Sequence, residues 1–290
     1  MRALTIEDLI AAAHVGGAGS LVMRQELEPA SGPDGIIAPA KYTGDGGATY
    51  VYAMRYEGNQ EKPLRTVLID SKGSFANRAE ETTTEAMRTS TGLLANMPHI
   101  TVRYDTADGE KTYFDNQLPH RAFDGHIRVG DYEGASTSKA EAYIKARNST
   151  LENLLPLFEL SPETVIFGGW DSTRSKNQLR IPSVMVGETY AILADQEGDP
   201  AVHRAGGRVD PVEASINVSS KTDREKIVDD SIDLSDGTKA SFKKLGKGSS
   251  IGLGAIPPSA KKDLLDGVSV RSVISTRVLS FATVRTFHFG

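Results

Sequence analysis

Residues 66 to 81 read Thr66-Val67-Leu68-Ile69-Asp70-Ser71-Lys72-Gly73-Ser74-Phe75-Ala76-Asn77-Arg78-Ala79-Glu80-Glu81, an apolar run that turns through small polar residues straight into a helical pattern. This junction constrains the fold more than any other stretch. Arg65 to Ile69 has β-type composition, whereas from Ser74 onward Ala76, Ala79, Thr83, Ala86 and Met87 recur at helical spacing with charges between them. Gly92 or Pro98 is expected to end that helix. A strand handing directly to a helix belongs to a mixed α and β architecture.

The rest of the chain extends this reading. Thr5-Ile6-Glu7-Asp8 offers a hydroxyl cap with an acid three residues later, and Ile6, Leu9, Ile10 and Ala13 predict a short N-terminal helix. Residues 14–48 carry many glycines and read as loop. Thr49 to Tyr56 alternates, with Tyr50, Tyr52, Met54 and Tyr56 expected on one buried or half-buried face. His99 to Tyr104 and Lys111 to Phe114 flank Ala107-Asp108-Gly109, a hairpin signal. Ser138 to Phe158 reads as a helix distorted at its end by Pro156. Val165 to Trp170, Ser183 to Leu193, Val212 to Val218 and Val268 to Ile274 read as strands, and Ser259 to Leu265 as a short helix. Residues 277 to 289 fit helix and strand equally well.

A chain of 290 residues that is 39% hydrophobic and 24% charged has the balance of an ordinary globular protein, able to bury a real core. It has no cysteine, which excludes disulfides, zinc ribbons and thiol nucleophiles. No window approaches the roughly 18 apolar residues of a membrane span, and Glu7 and Asp8 stand where an export signal would carry positive charge, so a cytoplasmic location is expected.

The net charge of −5 argues mildly against a free nucleic-acid binder. Its distribution argues the other way. Arg174, Lys176 and Arg180 lie in one stretch without acids, Lys239, Lys243, Lys244 and Lys247 in a second, and Arg271, Arg277 and Arg285 in a third. Asp229, Asp230, Asp233 and Asp236 form an acidic run ahead of the second cluster. A basic groove with an acidic flank and an unevenly charged solvated surface both fit this pattern.

Four segments beyond composition carry the strongest signal: the 66–81 junction, Leu118-Pro119-His120-Arg121-Ala122-Phe123-Asp124, Phe167-Gly168-Gly169-Trp170-Asp171-Ser172, and Gly252-Leu253-Gly254-Ala255-Ile256-Pro257-Pro258. In this order they resemble the motifs of the RAMP-superfamily backbone subunit of the subtype I-G (formerly I-U) CRISPR Cascade complex. Weaker likenesses lie at Pro39 to Tyr42 and Val278 to Phe289. The resemblance implies an α+β fold with an RRM-like, ferredoxin-type palm carrying finger and thumb insertions. It implies a single domain over 1–290, its core drawn from about 49–105, 138–194 and 212–290, with insertions at about 14–48, 105–137, 195–211 and 220–250.

The implied role is to bind the CRISPR RNA spacer and polymerise along it, presenting bases to target DNA, without catalysis, cofactor or metal. The implied partners are further copies of the chain, the Cascade large subunit and the repeat-processing subunit, with no membrane. Residue by residue, Ser71, Lys72, Ser74, Asn77 and Arg78 form a helix start suited to phosphate and sugar, though Ser71 to Ser74 could equally be a plain helix cap. The remaining expected RNA contacts are Lys41, Tyr42, His120, Arg121, Arg174, Lys176, Arg180, Lys243, Lys244, Gly252 and Gly254. Trp170 reads first as core and second as a base-stacking ring.

Two rival functions remain at this level. One is a repeat-RNA endoribonuclease using His120 or His126 as general base beside Asp124, although that spacing matches no strong ligand or catalytic signature. The other is a structural assembly protein that binds no nucleic acid.

Overall fold

The computed structural model describes residues 3–44, 47–175, 178–198, 201–206, 216–231, 233–254 and 259–290, the side chains of residues 47 and 261–263 excepted. The chain divides into two compact units, Met1–Gly198 with Ser269–Gly290, and Asp199–Val268.

The first unit is α+β, built on an antiparallel sheet in the order Ser20–Leu27, Ser259–Ser280 (here its residues from Ser269), Met185–Leu193, Leu64–Asp70, Tyr52–Arg55. Mixed elements around a large antiparallel sheet are compatible with the RRM-like class the motifs implied. Register is continuous between Ser20↔Ser280 and Leu27↔Val273. Toward the other edge it is irregular, with a shift between Thr189 and Tyr190. Val67, Ala191 and Ile274 are buried near the sheet centre.

The helix Lys72–Thr89 packs on the strand Met185–Leu193. Contact is close because Gly187 leaves room for the Phe75 ring: a Cβ there would meet three ring carbons at 2.8 Å. The helix buries Glu80, Thr83, Thr84 and Met87, positions three and four apart, so its covered stripe is largely polar. Polar partners meet it: Thr84 Oγ1 donates to Asn116 Oδ1 at 3.1 Å, and Asn116 Nδ2 donates to the Glu80 carbonyl at 3.3 Å.

A second layer carries the main apolar cluster, with Phe123, Ala146, Leu154, Leu157, Val165, Ile181, Val184 and Phe287. The short helices Glu141–Arg147, Leu155–Leu160 and Pro162–Phe167 supply much of it. In the second unit, Ala201–Gly206 pairs with the start of the strand Ser259–Ser280, and the helices Lys221–Asp229 and Asp236–Leu245 pack together.

Several sequence expectations stand. The N-terminal helix Ile6–Ala13 has the Thr5/Asp8 capping box, and the hairpin Thr101–Thr106 with Gly109–Phe114 turns at Ala107-Asp108, Gly109 taking φ +105°. Others need correction. Residues 14–48 contain the eight-residue edge strand Ser20–Leu27, which is almost wholly exposed and so shows no alternation to read. The stretch 138–158 is two helices, because Pro156 begins the second near its first turn, where its missing N–H costs nothing. Pro162 does the same for Pro162–Phe167, so the β-branched Thr164-Val165-Ile166 run is helical and only Gly169–Trp170 is extended. Ser259 to Leu265 is strand rather than helix. Of the tyrosine row only Tyr50 is buried, while Tyr52, Met54 and Tyr56 are exposed. Residues 212 to 215 of the expected strand at Val212 to Val218 lie outside the described residues.

Candidate nucleic-acid interface

The 66–81 junction forms as read, with the helix starting at Lys72, two residues before Ser74: Ser71 caps it, its Oγ accepting from Ser74 N at 3.2 Å. Lys72 and Asn77 are exposed. Arg78 folds back onto the strand end, Nε and Nη2 each donating to Asp70 carboxylate oxygens at 3.1 Å, with its outer side in solvent. The Arg78 side chain is 70% exposed and that of Asp70 only 14%, so the guanidinium keeps an open side that a second anion can reach.

Arg121 organises the second motif. Its Nε and Nη2 grip the two oxygens of Glu80 on the helix, while Nη1 donates to the Gly168 carbonyl at 2.9 Å. One side chain therefore ties together three motifs far apart in sequence. The residue holds φ +46°, a left-handed conformation that an arginine adopts only when its surroundings impose it. Asp124, almost fully buried, closes the turn by accepting from His120 N at 3.1 Å, His126 N at 2.9 Å and His126 Nδ1 at 2.7 Å. Burial raises its pKa, but the donors around it outweigh that and hold the carboxyl below its ordinary value.

The third motif forms a two-residue ladder, Gly169↔Ile181 and Trp170↔Arg180. Gly169 and Ile181 face the core, Trp170 and Arg180 face solvent, and the Arg180 guanidinium lies 4.0 Å from the indole centroid. Trp170 is 43% exposed, against the first expectation that it packs in the core. Asp171 is buried and held by Arg147 through Nε at 3.0 Å and Nη2 at 2.6 Å. Arg174 in turn donates to the Arg147 carbonyl and to Asn148 Oδ1.

Two hollows of about 470 and 400 Å³ adjoin here, sharing Pro119 and Arg121. The larger is lined by His120, Arg121, Trp170 and Arg180 among others, with no carboxylate. The smaller runs along the helix past Asn77, Glu80 and Glu81 to Asn116 and Gln117. Together they make a trough from Asn77 to Arg180.

Beneath the smaller hollow lies a group of buried acids that sequence reasoning did not single out. Glu163 is 3% exposed, and burial, with Glu80 and Asp115 nearby, lifts its pKa to about 7 despite hydrogen bonds from Thr83 and Asn116. Burial likewise raises Asp115, against hydrogen bonds from Ser161 and Ile100 N. Their sequence contexts, Phe-Asp-Asn and Pro-Glu-Thr, carry no sign of burial.

The other expected contacts lie elsewhere. Lys41 is exposed and Tyr42 half-buried, the latter starting a hairpin opposite Thr49. Lys176 lies outside the described residues, as do Ala255 to Pro258 of the fourth motif. In the second unit, Lys243 pairs with Asp229 at 3.4 Å, the Lys244 carbonyl accepts from Arg224 at 3.1 Å, Gly252 takes φ +85° at the end of a short 3-10 turn, and Gly254 packs against Ser249. Among the described residues no cluster of histidine and acidic side chains could hold a metal, and no helix is long and apolar enough to cross a membrane.

Residues 21–196 match the family model described as CRISPR-associated protein GSU0053, more than half of the chain. The matched span includes the whole trough. No curated protein matches the chain.

Proposed function

Because the chain belongs to this CRISPR-associated family, we propose that it is the backbone subunit of a type I-G Cascade complex, binding the CRISPR RNA spacer and repeating along it. The observation that carries this reading is the convergence of three separated motifs on one trough. Arg121 locks that trough through Glu80 and the Gly168 carbonyl, and its lining offers Asn77, His120, Trp170 and Arg180 to solvent. Such a lining pairs donors for phosphate and sugar with an aromatic face, the requirements for holding a single strand without reading its sequence. Specificity then rests with the guide, through base pairing to target DNA.

The chain acts by binding rather than by catalysis in this account. Asp124 serves as a turn cap, accepting from two backbone N–H groups as well as from His126 Nδ1. The partners are further copies of the chain, the large subunit, the repeat-processing subunit and target DNA. Expression with its genomic neighbours and a CRISPR array tests the reading: the protein should retain array-derived RNA, and retention should fall steeply as salt rises. Protein that purifies as an oligomer free of nucleic acid would point to the structural-assembly alternative.

A further inference from the structure

Trp170 is the sole tryptophan of the chain, and its backbone is fixed on both sides while its ring is 43% exposed. On one side, Gly168 at φ +85° sits so close to the next strand that a Cβ would lie 2.8 Å from the Ile181 carbonyl oxygen and 3.0 Å from Ser183 N. Gly169 is equally confined, a Cβ there meeting Thr164 Cγ2 at 2.8 Å and Phe123 Cε2 at 3.0 Å. On the other side, Asp171 is buried and clamped by Arg147. A ring serving the core would take the inward position that Gly169 and Ile181 occupy; the strand alternation turns it outward instead.

The outward ring stands at the mouth of the 470 Å³ hollow, within the size range of small-ligand sites. Arg180 lies over it, itself exposed, and His120 and Arg121 complete a lining without acids. An aromatic face, an exposed guanidinium and no competing carboxylate suit a nucleobase with its phosphate attached. We infer that this hollow is a single-nucleotide subsite, in which Trp170 stacks one base of the bound strand and Arg180 meets that nucleotide's phosphate. This rests on the proposed function and deepens it: the trough grips at least one base as well as the backbone. A free mononucleotide offers the same chemistry, so the test separates the two sources.

Because no second tryptophan contributes, tryptophan fluorescence excited to the red of the tyrosine absorption band reports this site alone. Titration with an oligoadenylate should quench it, whereas an abasic strand of equal length should bind with little quenching. Trp170→Ala should weaken binding of the oligoadenylate about 5- to 100-fold and leave the abasic strand nearly unaffected, while Trp170→Phe keeps most of the affinity. Equal quenching by both strands, silent fluorescence while both are retained on a filter, or equal losses for both strands in Trp170→Ala would overturn the subsite. If neither strand is retained, the reading of function falls and adenosine monophosphate decides the site: quenching by it assigns the hollow to free nucleotides, and no quenching removes the subsite altogether.

Discussion

Arg121 and Glu80, 41 positions apart, hold each other through two hydrogen bonds, Nε to Oε1 and Nη2 to Oε2, the second 3.0 Å long. Both side chains are largely buried, at 17% and 3% exposure. The pair joins the helix Lys72–Thr89 to the turn that carries His120 and, through the Gly168 carbonyl, to the strand that carries Trp170. Breaking it from one side strands a buried charge. Arg121→Ala should therefore cost about 3–5 kcal/mol in urea unfolding, and replacing both residues by apolar ones of similar volume should cost much less. A double-variant loss equal to the sum of the two single losses would show that the two residues do not act as a pair.

Glu163 sets a pH dependence. Its folded pKa of about 7 lies above the ordinary 4.5, so the folded state holds a proton that the unfolded state releases. The stability it contributes is complete below about pH 4.5 and lost as pH rises to about 7. Asp115, raised by burial, acts in the same direction. Glu163→Gln should flatten the fall in unfolding free energy across that window and leave the protein more stable than wild type at pH 8. A variant with an unchanged slope would remove Glu163 as its source.

Gly168 is required by its backbone and by its neighbours together. Gly168→Ala places a Cβ at φ +85° and 2.8 Å from the Ile181 carbonyl oxygen, a combination worth about 1–3 kcal/mol of strain. Thermal unfolding should register that loss. The ladder that aims Trp170 should loosen with it, so RNA affinity should fall further than it does for an equally destabilised variant elsewhere.

The parts of this fold legible in the sequence are those whose cause is local. Thr5 with Asp8, Ser71 before its helix and Asp108-Gly109 at a hairpin each satisfy backbone groups within a few residues. The strand Ser20–Leu27 was not legible because its register is imposed by Ser269–Ser280, hundreds of positions away, while its own side chains remain in water. Pro156 misled because proline stops a helix from within and starts one from its first turn, as Pro162 also does. At the candidate site, three of the motifs are segments that the fold brings to the two adjoining hollows. They did not show that Arg78, Arg121 and Arg174 would have intramolecular partners, or that Trp170 would face solvent, since both depend on which distant acids, carbonyls and strands fold against them.

Lys72 is exposed at the start of the helix that borders the smaller hollow, and Arg180 is exposed on the lining of the larger one. Replacing either by alanine should lower affinity for single-stranded RNA of any sequence and reduce the slope of log affinity against log salt by about 0.7. Filter binding across a salt series measures both. An unchanged slope in both variants would place the strand elsewhere on the surface.

The central claim is that this chain grips a guide transcript, and the RNA it carries is the most direct witness. The protein, purified from cells that express it with its CRISPR array and neighbouring genes, should yield RNA that maps to spacers, with protection repeating at a regular interval along each one. Recovery of no RNA, or of random cellular fragments in proportion to their abundance, would contradict the account.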